Sequence, residues 1–136
     1  MTVRQLRVVV RADDYDRAVA FYRDVLGLAE EEAYAGEGGA RVMILDAGRA
    51  TLEISNPQQV RMIDDVEVGR PVSPHIRVAF EVDDAEGDTH RLTEAGATLI
   101  AAPTRTPWDS LNARLDGPGG LQLTLFEELS ASQPDA

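Results

Sequence analysis

The sequence predicts an α+β fold made of two βαβββ modules in tandem, carrying curved mixed or antiparallel sheets with helices on their outer face. Three observations predict it. Residues 7–16, RVVVRADDYD, return as RVAFEVDDAE at 77–86, so each strand-like run ends in paired aspartates, Asp13-Asp14 and Asp83-Asp84. Leu52-Glu53-Ile54 after the turn at 46–49 is echoed by Leu123-Thr124-Leu125 after the turn at 116–120. Each copy also reads as strand, helix, then three strands. A duplicated unit builds a pseudo-twofold structure, and a site near its axis is lined by matching residues of both copies. The 136 residues suit one domain, because a half of about 60 residues buries too little surface to be stable alone. The expected plan is a single domain over 1–136, with repeats 4–56 and 72–128, linker 57–71 and tail 129–136.

In order along the chain, Leu6, Val8, Val10 and Ala12 alternate with Arg7, Val9 and Arg11, the period of a strand with one apolar face. Asp13 or Asp14 caps a helix in which Ala18, Phe21 or Tyr22, Val25 and Leu26 recur at helical spacing, and Gly27 marks its end. Strands follow at 28–34, 40–46 and 49–55. Pro57, Pro71, Pro74 and the acids Asp64, Asp65 and Glu67 read as a linker. The second copy repeats the plan: a strand through Ile76, Val78, Phe80 and Val82, an aspartate cap, a more polar helix through Leu92, and Gly96. Its strands fall at 97–102, 111–116 and 121–127.

Composition narrows the function. The net charge of −11 argues against nucleic-acid backbones, which are bound by Lys and Arg. No apolar run reaches the ~20 residues of a membrane span and no signal peptide is evident, so a cytoplasmic location is expected. The chain has no cysteine, which excludes disulfides and thiolate chemistry. All 13 basic residues are arginine, which excludes Schiff-base catalysis and the lysine of a phosphate-binding loop.

Alternation then chooses sides. If Leu6, Val8, Val10, Ile76, Val78 and Phe80 lie under the helices, Arg7 and Arg77 point to the other face, with Glu53 and Thr124 of the closing strands beside them. That surface is either a solvated sheet face or, if the sheet curls, the wall of a site.

DDYDRAVAFYRDVLGL at 13–28, HIRVAFEVDD at 75–84 and PWDSLNARLDGPGGLQLTLFEE at 107–128 resemble the vicinal-oxygen-chelate superfamily of glyoxalases, bleomycin resistance proteins and extradiol dioxygenases. The resemblance implies paired modules curled around a cavity, small-molecule ligands and a homodimer. Its metal-using members hold the ion through His near the start of each first strand and Glu on each last strand. The matching positions here are Arg7, Arg77, Glu53 and Thr124, of which only Glu53 is a metal ligand by chemistry. No cofactor is expected on that basis. The alternative is a divalent metal held by His75 and Glu53 in a lyase or dioxygenase, with Glu53 the one candidate for catalysis.

Two readings of Arg7, Glu53 and Arg77 follow: a structural ion network, or a pocket in which Glu53 neutralises one arginine and leaves the other to grip a ligand anion. Trp108 would stack on a planar ligand and Asn112 and Gln122 would hydrogen-bond to it. Of Glu30, Glu31 and Glu32, strand parity turns either the middle one or the outer two inward, unless the strand is frayed or at an edge; a solvated acidic edge is the expected reading. The expected function is metal-independent binding of a small molecule.

Overall fold

The computed structural model describes residues 2–129, so all of the expected tail except Leu129 lies outside the described residues. Eight strands form one curved, open sheet in the order β2-β3-β4-β1-β5-β8-β7-β6. They are β1 (Val3–Arg11), β2 (Ala29–Ala35), β3 (Arg41–Ala47), β4 (Ala50–Ser55), β5 (Ile76–Val82), β6 (Thr98–Arg105), β7 (Ser110–Gly117) and β8 (Leu121–Glu128). The order is symmetric about the β1–β5 seam, as the duplication requires. At the seam, β1 and β5 pair antiparallel, and each pairs in parallel with the closing strand of its own module, β4 or β8. Both modules of one chain therefore complete a single sheet.

The second aspartate of each pair is the cap. Asp14 Oδ1 accepts from the Arg17 amide at 3.2 Å and Asp84 Oδ1 from the Gly87 amide at 3.0 Å. They open α1 (Tyr15–Val19) and α3 (Ala85–Glu94). Gly27 at φ 92° and Gly96 at φ 117° end the two helical segments in the left-handed region that favours glycine.

The first helix departs from the α spacing. After Val19 the chain winds as a π-helix over Ala20–Val25, with the Leu26 amide bonded to the Phe21 carbonyl five residues back. The wider turn rotates later side chains off the buried stripe. Tyr15, Val19, Ala18 and Tyr22 pack on Met43, Leu45 and Ile54, while Phe21, Val25 and Leu26 are exposed. The matching cluster under α3 joins Val82, Ala85, Ala113, Leu115 and Leu125. Each helix thus covers the strands of its own module. The seam between them is less covered than alternation alone suggests: Leu6, Val8 and Val10 are half-buried and Ile76 is exposed.

The linker is not structureless. Residues Pro57–Glu67 form α2, an 11-residue helix. Asn56 caps it, accepting from the Gln59 amide at 2.8 Å, and Pro57 stands in the first turn where no amide hydrogen is needed. The Asn56 amide nitrogen also donates to the Gly39 carbonyl at 2.7 Å, tying the helix start to the turn before β3. The buried face of α2 is Gln59, Ile63, Asp64 and Glu67. A helix that packs through carboxylates leaves no apolar period to read, which is why its sequence resembles a linker.

Candidate functional site

The concave face of the sheet and α2 enclose a cavity of about 370 Å³, within the ~300–1,000 Å³ of ordinary ligand pockets. Of the seven residues expected to contact a ligand, Arg7, Glu53, Arg77, Thr124, Trp108 and Asn112 line it, whereas Gln122 does not, its side chain being taken by Arg114 and the Val72 carbonyl. Arg7, Glu53, Arg77 and Thr124 share this face because the pleat is regular here, as on β8, where Thr124, Phe126 and Glu128 all turn to the cavity. Apolar lining comes from Val42 and Ile44 of β3, Met62 and Ile63 of α2, and Ala79 and Phe126, which pack on Val9 beneath the floor.

The two arginines differ in their partners. Arg7 lies 3.7 Å from Glu53 Oε1, donates to Gln5 at 3.1 Å, and sets its guanidinium 5.0 Å from the Phe126 ring centroid. Arg77 is only 7 % exposed and makes one side-chain hydrogen bond, Nη1 to Thr124 Oγ1 at 2.6 Å. It forms no ion pair among the described residues. Burial, and then the nearby Arg114 charge, lower its pKa against the opposing pull of Glu67, Glu53 and Asp64. A guanidinium stays protonated even so.

Beneath it lies an ion network that the sequence reading missed. Arg114 of β7, fully buried, donates to Asp64 at 3.0 Å, to Glu67 at 2.7 Å and to Gln122 at 3.0 Å. Glu67 also accepts from Asn112 at 2.6 Å. Burial pushes the Asp64 carboxyl up, but bonds from the Ser73 hydroxyl, the Ser73 and Val72 amides and Arg114 outweigh it and leave the pKa below its ordinary value. Arg114 was findable, since it stands two residues from Asn112 on the same strand face. Its helix partners were not, because their segment read as linker.

Glu32, Tyr34, Trp108 and Glu128 complete the lining toward the outer surface. A bulge between Glu30 and Glu32 breaks the strand parity, so Glu32 turns inward while Glu30 pairs with Arg23 at 3.4 Å. Tyr34 donates to Glu32. Burial, then the Glu81 charge, raise the Glu128 pKa, with Arg7 opposing and Glu32 adding.

The donor set does not suit a metal ion. His75 is exposed, its Nδ1 lies 3.2 Å from Arg11 Nη2, and it does not line the cavity. Among the described residues no three His, Asp or Glu side chains come together in a way that could hold a metal ion. The Glu53 carboxylate instead meets Arg7 and accepts from Ser55 at 3.3 Å.

Comparison with known proteins agrees with this architecture. The family model of the Glyoxalase/Bleomycin resistance protein/Dioxygenase superfamily matches residues 4–125. No curated protein is matched by the sequence. Among solved structures, the chain is similar to a methylmalonyl-CoA epimerase of Streptomyces coelicolor in complex with 2-nitronate-propionyl-CoA, at 19% identity and TM-score 0.68, covering 95% of this chain and 100% of that chain. It is similar to methylmalonyl-CoA epimerase from Mycobacterium tuberculosis at 22% identity and TM-score 0.63, covering 94% and 88%. Hypothetical protein BH1468 from Bacillus halodurans C-125 aligns at 16% identity and TM-score 0.69, covering 94% and 96%. At such identities the likeness is one of fold. With the family model spanning both repeats, the chain belongs to the Glyoxalase/Bleomycin resistance protein/Dioxygenase superfamily.

Proposed function

We propose that the protein binds a small organic molecule in this cavity without a metal, and that Arg77 is the anchor for an oxygen acceptor of the ligand, a carboxylate giving the strongest contact. One observation carries the proposal: among the described residues, Arg77 is a buried guanidinium with a single side-chain hydrogen bond and no carboxylate of its own. The neighbouring carboxylates are committed elsewhere, Glu53 to Arg7 and Ser55, Glu67 to Arg114 and Asn112, Asp64 to Arg114 and Ser73. A ligand carboxylate would meet free donors that a planar fork presents in pairs. The arginines at Arg7 and Arg77 also support the metal-free reading, because two fixed positive charges repel a divalent cation.

The first test is elemental analysis after incubation with Zn, Ni, Mn and Fe(II) and removal of the excess. The expected result is no stoichiometric metal. About one equivalent bound, and lost in Glu53→Gln, would replace this reading with a metal-dependent lyase or dioxygenase. Turnover of 2-oxoaldehyde hemithioacetals or catechols, with and without added metal, separates a binding protein from an enzyme. The proposal includes the homodimer implied by the family resemblance, which sedimentation velocity checks.

A further inference from the structure

We propose that the ligand is bipolar, with its acceptor end on Arg77 and an amine at the outer end of the cavity between Glu32 and Glu128. The inference rests on the Arg77 reading above and adds the second pole.

Charge is distributed unevenly along the cavity. At the floor, Arg7 and Arg77 stand with Glu53 and Glu67, and the buried Arg114 and Asp64 beneath them bring the total to three charges of each sign. Farther out, Glu32 and Glu128 both line the cavity and neither forms an ion pair among the described residues. Glu81, which accepts from Gln5 at 3.1 Å, adds a third negative charge whose effect reaches Glu128. Arg7, which opposes the upward shift of the Glu128 pKa, is already paired with Glu53. The outer end is therefore negative while the floor is balanced, and a cation seated there relieves repulsion among three carboxylates.

Acidic side chains alone would be a solvated edge. What distinguishes this one is that the same cavity holds Arg77, more than nine-tenths buried and with donors uncommitted. The two poles are joined by one strand face. Thr124, which holds Arg77, and Glu128 are four residues apart on β8, about 13 Å of strand. Phe126 lies between them on the strand with the Arg7 guanidinium over its ring, and Val42, Ile44, Met62 and Ile63 supply the apolar wall for the ligand's spacer. Trp108 and Tyr34, both exposed at this end, present aromatic faces that favour an ammonium group. The chemistry selected is an amino acid whose charges are separated by a short alkyl or aryl spacer, and whose net charge is zero.

The test uses the full chain at low salt with three probes: octanoate, 8-aminooctanoate and octylamine. Trp108 is the only tryptophan, so its fluorescence reports the cavity directly, with calorimetry as the second readout. We expect 8-aminooctanoate to bind at least about tenfold more tightly than octanoate. Replacing both rim acids, Glu32→Gln with Glu128→Gln, should abolish that gain while leaving octanoate affinity within about twofold. Arg77→Met should weaken both acids. Equal binding of the two acids would overturn the amine pole and leave the Arg77 anchor standing. Octylamine binding as tightly as 8-aminooctanoate, with no effect of Arg77→Met, would overturn the anchor and the bipolar ligand together, as would failure of both acids to bind.

Discussion

Arg77 and Arg114 are both buried guanidinium groups on the concave face, and their surroundings give them opposite roles. Arg114 is held by Asp64, Glu67, Gln122 and Ser73. Removing it strands two buried carboxylates, and the loss of one side of such a pair costs ~3–5 kcal/mol. Arg114→Ala is accordingly expected to lower the unfolding free energy by that order in a urea titration. A loss below about 1 kcal/mol would mean that the network contributes little. Arg77 strands no carboxylate when replaced, only the buried Thr124 hydroxyl, its one side-chain hydrogen-bond partner among the described residues. The sequence offers no means of separating these arginines. Alternation says which face each occupies, but not which carboxylate a distant helix brings to it.

At the scale of elements, α2 decides the site. Its buried carboxylates fasten it to β7, and Gln59, Met62, Ile63 and Glu67 supply one wall of the cavity. The segment after the helix joins the same latch, because Ser73 Oγ donates to Asp64 at 2.6 Å and the Val72 and Ser73 amides donate at 3.0 Å. Asp64 titrates below its ordinary value in the folded protein. Its contribution is therefore complete above the unfolded-state value of about 3.9 and is lost as pH falls through the lower folded value. Ser73→Ala removes one of the bonds that hold the carboxylate charged, so it should cost about 1 kcal/mol at neutral pH. It should also move the acid unfolding midpoint upward, as followed by circular dichroism. An unchanged midpoint would show that Asp64 does not govern acid stability. The first helix gives the complementary lesson. Its cap and terminal glycine were legible, whereas the π turn that exposes Phe21, Val25 and Leu26 was not, because side-chain spacing does not reveal an extra residue per turn.

For the whole molecule, the duplication was the strongest signal and carried the furthest. It predicted the two modules, the strand positions to within a few residues, and the shared face of Arg7, Glu53, Arg77 and Thr124. The curvature of the sheet was expected, but which distant side chains it gathers was not readable from the residues themselves. It brings Glu32 of β2 and Glu128 of β8 to one cavity, although the two strands are separated by β3, β4, β1 and β5 in the sheet. The central claim is that this curved face is a binding site in which Arg77 is held ready for a ligand, and is not merely a balanced ion network. The most direct test is calorimetric titration of octanoate into the wild type and Arg77→Met, with unfolding free energies measured on both. An apolar side chain in place of a buried charge without an ion-pair partner removes a desolvation penalty of roughly several kcal/mol, which outweighs the ~1 kcal/mol of the hydrogen bond lost at Thr124. The account predicts that Arg77→Met folds with equal or greater stability and loses at least about tenfold in octanoate affinity. Destabilisation by several kcal/mol, or unaltered octanoate binding, would contradict it and leave Arg77 a structural member of the network.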